Sequence, residues 1–308
     1  MTSFRTFPGR VDVRLGGPNS WRAAGNHAME FPFVPKSQWK GRRTGAGAGA
    51  GACAGAKAKR AAGGRRGGYT WLPDQHGAWA MLAVPFLAGT LLAPRPGWAH
   101  ALLFAAWLLG YVAVFHAQQW LRLHARGLRS ARRHGRPAVA FGAAFVAAAL
   151  PLAVAHPWLV VAALLAAPFV AVNTRHALRG RERALVNGLA AVVPACGMLL
   201  VAERLGGGAT GAARAPALAC LLYFAGTVPY VKTMIREQNS PAYRRGSAAY
   251  HAVALAVAAC LSPWLALSFA AYLARAAALP GRGLRVPVVG AIELACSAAL
   301  LLTLTLAF

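Results

Sequence analysis

Nine apolar segments follow one another from residue 76 to the carboxyl terminus of this 308-residue chain, with short polar gaps between them. They span residues 76–93, 99–121, 137–155, 157–172, 184–202, 215–231, 247–261, 263–279 and 286–308. In hydrocarbon a lone segment satisfies all of its backbone hydrogen-bonding groups only as a helix, and about 17 to 25 residues cross the bilayer core. The segments therefore predict an all-α fold, a polytopic bundle of about nine transmembrane helices formed by residues 71–308.

The composition also indicates a membrane protein. Hydrophobic residues make up 57% of the chain and charged residues 13%, whereas soluble domains contain about 25% charged residues. The formal net charge of +26 arises from 33 Lys and Arg against only seven acids. Because most bases lie before residue 70 or in gaps between apolar segments, membrane topology explains them and we predict no nucleic-acid partner. The predicted location is the cell membrane, with multiple passes.

The basic residues also predict the orientation, since Lys and Arg near helix ends are retained on the cytoplasmic side. With the amino terminus inside, the inner gaps contain seventeen bases, Arg275 among them, and the outer gaps contain three. A missed or extra helix would destroy this alternation, so the count also supports nine crossings. We predict a cytoplasmic amino terminus and an external carboxyl terminus.

Residues 1–70 form a segment rich in Gly, Ala and basic residues with no sustained apolar period. This composition predicts a disordered tail. Two interpretations remain open, a wrongly assigned translation start and a polybasic arm on anionic lipid. The five cysteines occur singly, with no C-x-x-C pair, so we predict neither a metal site nor a disulfide framework.

Polar side chains collect at the predicted cytoplasmic ends of the segments, and they are the candidate ligand-binding residues. They are Asp74, Gln75, His76, His116, Gln119, His124, Asn173, Arg175, Lys232, Arg236, Glu237 and His251. One interpretation is a polar bowl above the bundle that binds an anionic or lipid-like molecule, with histidines available as acids, bases or ligands. The alternative is that these side chains simply lie at a headgroup interface, where amphipathic residues gather.

Glu293 is the one acid well inside an apolar segment. A carboxyl group in hydrocarbon is costly and is a functional candidate for that reason. The sequence offers no evident buried base as its partner, so the structural alternative is a protonated Glu293 that is hydrogen-bonded to a neighbouring helix.

Three stretches resemble the YwiC-like family of bacterial membrane proteins. They are WLPDQHGAWAMLAVPFLAG at 71–89, NTRHALRGRERALVNGLAA at 173–191 and VPYVKTMIREQNSPAYRRGSAAYH at 228–251. The resemblance covers about residues 70–308 and leaves the tail outside it. It implies a membrane protein and brings no established activity with it.

A more remote resemblance is to the UbiA-type prenyltransferases, and it implies nine helices, an internal amino terminus and polar loops after helices two and six. The stretch HAQQWLRLHARGLRSARRHGRP at 116–137 lies where those enzymes carry an aspartate-rich segment. They hold magnesium with two aspartate clusters. This chain has no Asp or Glu between residues 75 and 181 and only Glu237 in the second loop, so magnesium-dependent prenyl transfer is not expected even with a UbiA-like architecture.

Three functions therefore remain at this point. The first is a protein that binds a lipid-like or anionic ligand. The second is a membrane enzyme acting on an isoprenoid, a quinone or a haem-like substrate through His76, His116 or His251. The third is a transporter, which would need a polar path through the membrane. No catalytic residue, cofactor or protein partner follows from the sequence.

Overall fold

A computed structural model describes residues 71–73, 76–209 and 211–308, with His76 described for its backbone alone. The predicted tail and the candidates Asp74 and Gln75 lie outside the described residues. Within those residues the chain forms nine α-helices and no β-strand. The all-α prediction and its helix number are therefore confirmed.

The helices are α1 His76–Leu92, α2 Trp98–Ala125, α3 Arg132–Ala155, α4 Trp158–Leu178, α5 Leu185–Leu205, α6 Arg214–Ile235, α7 Pro241–Leu261, α8 Pro263–Ala278 and α9 Val286–Ala307. A short 3-10 turn at Arg129–Ala131 precedes α3. Most boundaries agree with the apolar segments within a few residues. The start of α3, the end of α4 and the start of α7 lie five or six residues outside the apolar segments. At α7 the reason is that Ser240 caps the helix by accepting from the Tyr243 backbone N–H and Pro241 occupies the first turn. That polar first turn lies outside the apolar segment.

Six of these helices are long and apolar enough to cross a membrane, namely α2 to α6 and α9. The faces of α3 and α4 carry large apolar side chains that are strongly exposed, such as Val139 at 74% and Leu165 at 70%. In water such faces would be costly, whereas in lipid they are in a favourable solvent. The chain is an integral membrane protein.

Six helices form a closed ring. In order around the ring, α1 packs on α5, α5 on α6, α6 on α7, α7 on α8, α8 on α9, and α9 on α1 again. Helix α6 also contacts α1, α8 and α9, so it reaches the middle of the ring. Helices α2, α3 and α4 pack on one another, and α4 and α2 join the ring at α5. The largest core cluster, with Leu199, Leu265 and Leu300 fully buried, lies inside the ring.

Small residues allow the ring helices to approach closely. A Cβ atom added at Gly89 of α1 would overlap the backbone carbonyl of Leu199 in α5. On α6, a Cβ at Gly226 would lie 2.9 Å from Cε1 of Tyr250 and 3.1 Å from Nε2 of His251 in α7. Glycine at these two positions lets the helix backbone contact the backbone or a side-chain ring of the neighbouring helix, which is the packing typical of membrane helices.

One end of the bundle, called here the basic end, is where α2, α4, α6 and α8 end and α3, α5, α7 and α9 begin. Sixteen of the seventeen bases predicted on the inner side lie there. The exception is Arg275, whose side chain is buried in the ring. Its assignment to an inner gap was wrong, because Arg275 lies three residues before the end of α8 and turns towards neighbouring helices.

The orientation of the basic end is testable by single-cysteine labelling in a full-length chain whose five native cysteines are replaced. We expect a membrane-impermeant maleimide to label Ala212→Cys, in the loop between α5 and α6, on intact cells. Asn239→Cys, in the loop between α6 and α7, should be labelled only after lysis. The reverse pattern would overturn the prediction that the amino terminus is cytoplasmic.

Candidate functional site

A group of polar side chains is buried between α6, α7, α8 and α9, and it is called here the interior cluster. Its members are Tyr223 and Tyr230 of α6, Ser247 and His251 of α7, Tyr272 and Arg275 of α8, and Glu293 and Ser297 of α9. All but Glu293 are buried, and Glu293 is nearly so. Glu293 lies seven residues after the start of α9. Since an α-helix rises about 1.5 Å per residue, the cluster is roughly 10 Å from the basic end, measured along α9.

An ion pair lies at the centre of the interior cluster. Nη1 of Arg275 donates to Oε1 of Glu293, and the two side chains are only 5% and 13% exposed. The expectation that Glu293 lacks a buried base was therefore wrong. The pairing could not be predicted, because Arg275 lies near a helix end. The sequence gives the position of a residue along its helix but not the direction in which its side chain points.

Three tyrosine rings surround the Arg275 guanidinium. Its central carbon lies 4.1 Å from the ring centre of Tyr230, 5.7 Å from that of Tyr272 and 5.9 Å from that of Tyr223. A guanidinium over an aromatic face is attracted by the ring quadrupole, more strongly where water is excluded. The rings therefore stabilise the positive charge inside the bundle.

The hydroxyl groups of two of these tyrosines are anchored to α9. Tyr272 donates to the backbone carbonyl of Cys296 at 3.0 Å, and Tyr223 lies 3.1 Å from Oγ of Ser297 and 3.2 Å from the carbonyl of Glu293. These bonds tie α6 and α8 to α9 around the ion pair.

His251 faces the same cluster from α7. Its Nδ1 lies 2.8 Å from the carbonyl of Ser247, which can only accept, so Nδ1 carries the hydrogen. In a neutral ring Nε2 is then an acceptor. The His251 ring packs edge-on against Tyr230 and Tyr250, at 6.4 and 5.8 Å between ring centres.

Four polar atoms of the interior cluster are buried and have no hydrogen-bond partner among the described residues. They are Nε and Nη2 of Arg275, the Tyr230 hydroxyl and the Ser247 hydroxyl. About 90% or more of buried polar groups in proteins are paired. All four of these groups can donate, so the cluster offers hydrogen bonds that the surrounding protein does not accept.

The predicted bowl residues of α2 occupy other places. His116 is fully buried, with Nε2 2.8 Å from the Trp71 carbonyl and Nδ1 3.0 Å from Nδ1 of His134. Since Nε2 must donate to the carbonyl, the neutral His116 ring accepts from His134. Gln119 accepts from Arg122, which also pairs with Glu182. These contacts join α2 to the segment before α1, to α3 and to the loop before α5.

Other described bowl residues at the basic end each have a contact partner of their own. The Asn173 side chain donates to the Phe169 carbonyl of its own helix at 3.0 Å. His124 is exposed and stacks on Trp120, with ring centres 5.0 Å apart, and Arg175 is exposed. Nζ of Lys232 lies 5.8 Å from the ring centre of Tyr243.

Charges of the same sign meet at the end of α6. Partial desolvation and then the charge of Arg183 lower the pKa of the Arg236 guanidinium, while the neighbouring Glu237 raises it.

Of the predicted bowl residues whose side chains are described, His251 alone lies in the interior cluster. The binding role of the others stays a prediction.

A helical-face pattern could have revealed the cluster from the sequence. Its polar residues come in pairs on one helix, Tyr223 with Tyr230, Ser247 with His251, Tyr272 with Arg275, and Glu293 with Ser297. The spacings of seven, four, three and four residues each place the pair on one face of a helix. A search for charged residues inside the apolar segments does not find the tyrosines, because tyrosine is uncharged.

The chain is similar to proteins of two bacteria. The sequence profile described as YwiC-like protein matches residues 72–203. An uncharacterised protein of Haemophilus influenzae is 34% identical over 245 residues, which cover 77% of this chain and 98% of that protein. The uncharacterised protein YwiC of Bacillus subtilis is 32% identical over 230 residues, covering 72% of this chain and 92% of that protein. No solved structure matches significantly, so the resemblance to UbiA-type enzymes stays a prediction.

Proposed function

We propose that this chain, which belongs to the YwiC-like protein family, is a protein of the cell membrane that binds a ligand bearing an oxyanion at the interior cluster. Both an anionic small molecule and a lipid headgroup have this chemistry. The observation that supports the proposal is the set of four buried donors on Arg275, Tyr230 and Ser247 that have no hydrogen-bond partner in the part of the chain that the structure describes.

The energetic reason is the cost of such donors inside a bundle. A buried polar group left unpaired costs about 1 to 3 kcal/mol, and more when it is charged. In a membrane the surrounding lipid supplies no compensating acceptor. An oxyanion would supply several acceptors at once, and a hydrogen bond in which at least one partner is charged is about twice as strong as one between neutral groups.

Helix α6 offers a means of access. Pro229 precedes Tyr230 and has no backbone N–H, so α6 lacks the hydrogen bond to the carbonyl of Ala225. The helix is therefore weakest beside the interior cluster and can bend there to admit a ligand. The bases of the basic end would attract an anion towards this region, since charges of one sign raise the local concentration of the opposite sign.

Transport is the second candidate function, and the buried pair of Arg275 and Glu293 favours it. Ionisable residues within membrane helices are often found on substrate and proton pathways. A transporter would bind the same oxyanion before releasing it on the other side, so the binding experiment tests the step that the two functions share.

We test the proposal with the full-length protein in dodecyl maltoside micelles, whose uncharged headgroup carries no oxyanion, using acetate, benzoate, inorganic phosphate and phosphatidylglycerol as probes. We expect at least one probe to raise the thermal stability, by about 2.7 kcal/mol at a hundredfold excess over its Kd. Phosphatidylglycerol as the sole effective probe would identify a headgroup, and a soluble anion would identify a small molecule. Failure of all four probes would overturn the proposal.

Two conservative variants locate the binding site. Tyr230→Phe removes one unpaired hydroxyl and keeps its ring, so we expect probe affinity to fall on the order of tenfold, as for a lost hydrogen bond to a charged group. Tyr243→Phe, at the start of α7 outside the cluster, is the matched control and should leave the affinity unchanged. Equal effects of the two variants would count against the interior cluster.

A further inference from the structure

We propose, resting on the function proposed above, that the oxyanion is a carboxylate held side-on by Nε and Nη2 of Arg275, and that its binding places one proton on Glu293. The structural basis is the way in which the ion pair uses the guanidinium. Glu293 takes one hydrogen bond, from Nη1. The two nitrogens that remain without a hydrogen-bond partner among the described residues are Nε and Nη2, and the Cys296 thiol of α9, a weak acceptor, lies beside the guanidinium.

Nε and Nη2 form one edge of the guanidinium plane, and their N–H bonds are nearly parallel. This two-donor fork matches the spacing of two oxygens on one carboxylate. The Tyr230 ring, 4.1 Å below the guanidinium carbon, restricts rotation of the plane. A lysine ammonium has three donors but no such fork, so the residue type at position 275 selects planar, two-oxygen ligands.

Charge balance links this binding to a proton. Arg275 and Glu293 carry opposite charges that cancel, and a carboxylate added to the pair would leave one uncompensated negative charge in the bundle. An isolated buried charge is far more costly than a neutral carboxylic acid. Glu293 removes the imbalance by taking a proton from solvent, which leaves the Arg275 cation paired with the incoming carboxylate.

The groups around Glu293 favour this site for the proton. From α8 it faces Arg275, which Tyr272 contacts in turn, and from α6 it lies near Tyr223 and Tyr230. Its own helix adds the Cys296 thiol. Helix α9 also packs on α1. The titratable residue in the sequence of α1 is His76, at the start of that helix. Among the described acids, Glu293 alone contacts Arg275.

His251 is the competing proton acceptor. It lies on α7 in the same cluster, and Nε2 of its neutral ring can take a proton. A proton there would add a second positive charge near Arg275 and would leave Glu293 ionised beside the incoming anion. Protonation of Glu293 instead removes the negative charge closest to the ligand.

Isothermal titration of benzoate into the full-length protein in the same dodecyl maltoside micelles, in two buffers of different ionisation enthalpy, counts the protons. We expect uptake of about one proton per benzoate, with Kd rising about tenfold per unit of pH. Wild-type protein alone gives this result, so no variant has to fold. Benzoate binding without proton uptake overturns this inference and leaves the proposed function standing.

Three variants test which side chain takes up the proton and which one binds the carboxylate. Glu293→Gln should bind benzoate with no proton uptake and no pH dependence. Arg275→Lys keeps the charge without the fork and should weaken benzoate by at least about tenfold, equal to roughly 1.4 kcal/mol. Loss of proton uptake in His251→Gln with retention in Glu293→Gln would overturn the assignment to Glu293. Binding of phosphate or phosphatidylglycerol, but of no carboxylate, would overturn the ligand class alone.

Discussion

Arg275→Met is expected to destabilise the protein by about 3 to 5 kcal/mol, the cost of breaking a buried ion pair from one side. The substitution leaves the Glu293 carboxylate without its base inside the bundle. It also removes the cation from the three tyrosine rings that surround it. The measurement is the midpoint of thermal unfolding in detergent, together with the yield of monodisperse protein.

The double variant Arg275→Met with Glu293→Leu is the control. Because it removes both charges and replaces them with apolar groups of similar size, we expect it to regain most of the lost stability. The difference between the double variant and the sum of the singles gives the coupling energy of the pair. If the double variant were no more stable than Arg275→Met, the unpaired Glu293 would not be the cause of the lost stability, and the prediction would be wrong.

Gly89→Leu is expected to have the second largest effect. Even a Cβ at Gly89 would overlap the Leu199 carbonyl, and a backbone atom cannot move aside as a side-chain end can. Helices α1 and α5 would have to separate, and overpacking of this kind costs about 1 to 3 kcal/mol or more. We expect at least about 3 kcal/mol and little folded protein, measured by the same thermal assay.

Gly142→Leu on α3 is the matched control for this prediction. A Cβ at Gly142 meets nothing within 4 Å, and α3 is a lipid-exposed helix. Its stability should stay within about 0.5 kcal/mol of the wild type. If Gly89→Leu were equally harmless, the close approach of α1 and α5 would not exist in the protein.

The candidate site was only partly predictable. His251 was predicted as one of the polar residues at the cytoplasmic ends of the segments. Glu293 stands out because a titratable group inside an apolar segment is costly and rare. Tyr223, Tyr230 and Tyr272 do not, because tyrosine is common in membrane helices and at their ends. Their roles depend on contacts between helices that lie 24 to 74 residues apart in the chain.

The sequence by itself determined the class of fold, the number of helices and most of their boundaries. It could do so because a bilayer makes a local demand, namely enough consecutive apolar residues to pair the backbone within one helix. The excess of bases at alternate gaps follows from the same local rule and predicts the orientation.

Only the tertiary structure decided which way each polar side chain points. The height of a residue along a helix can be counted from the sequence, but the neighbour it faces depends on how the helices pack. Arg275 was counted as a surface base for this reason, and it is the buried partner of Glu293. The described residues predicted as one bowl have different contact partners for the same reason, since their helices join different neighbours.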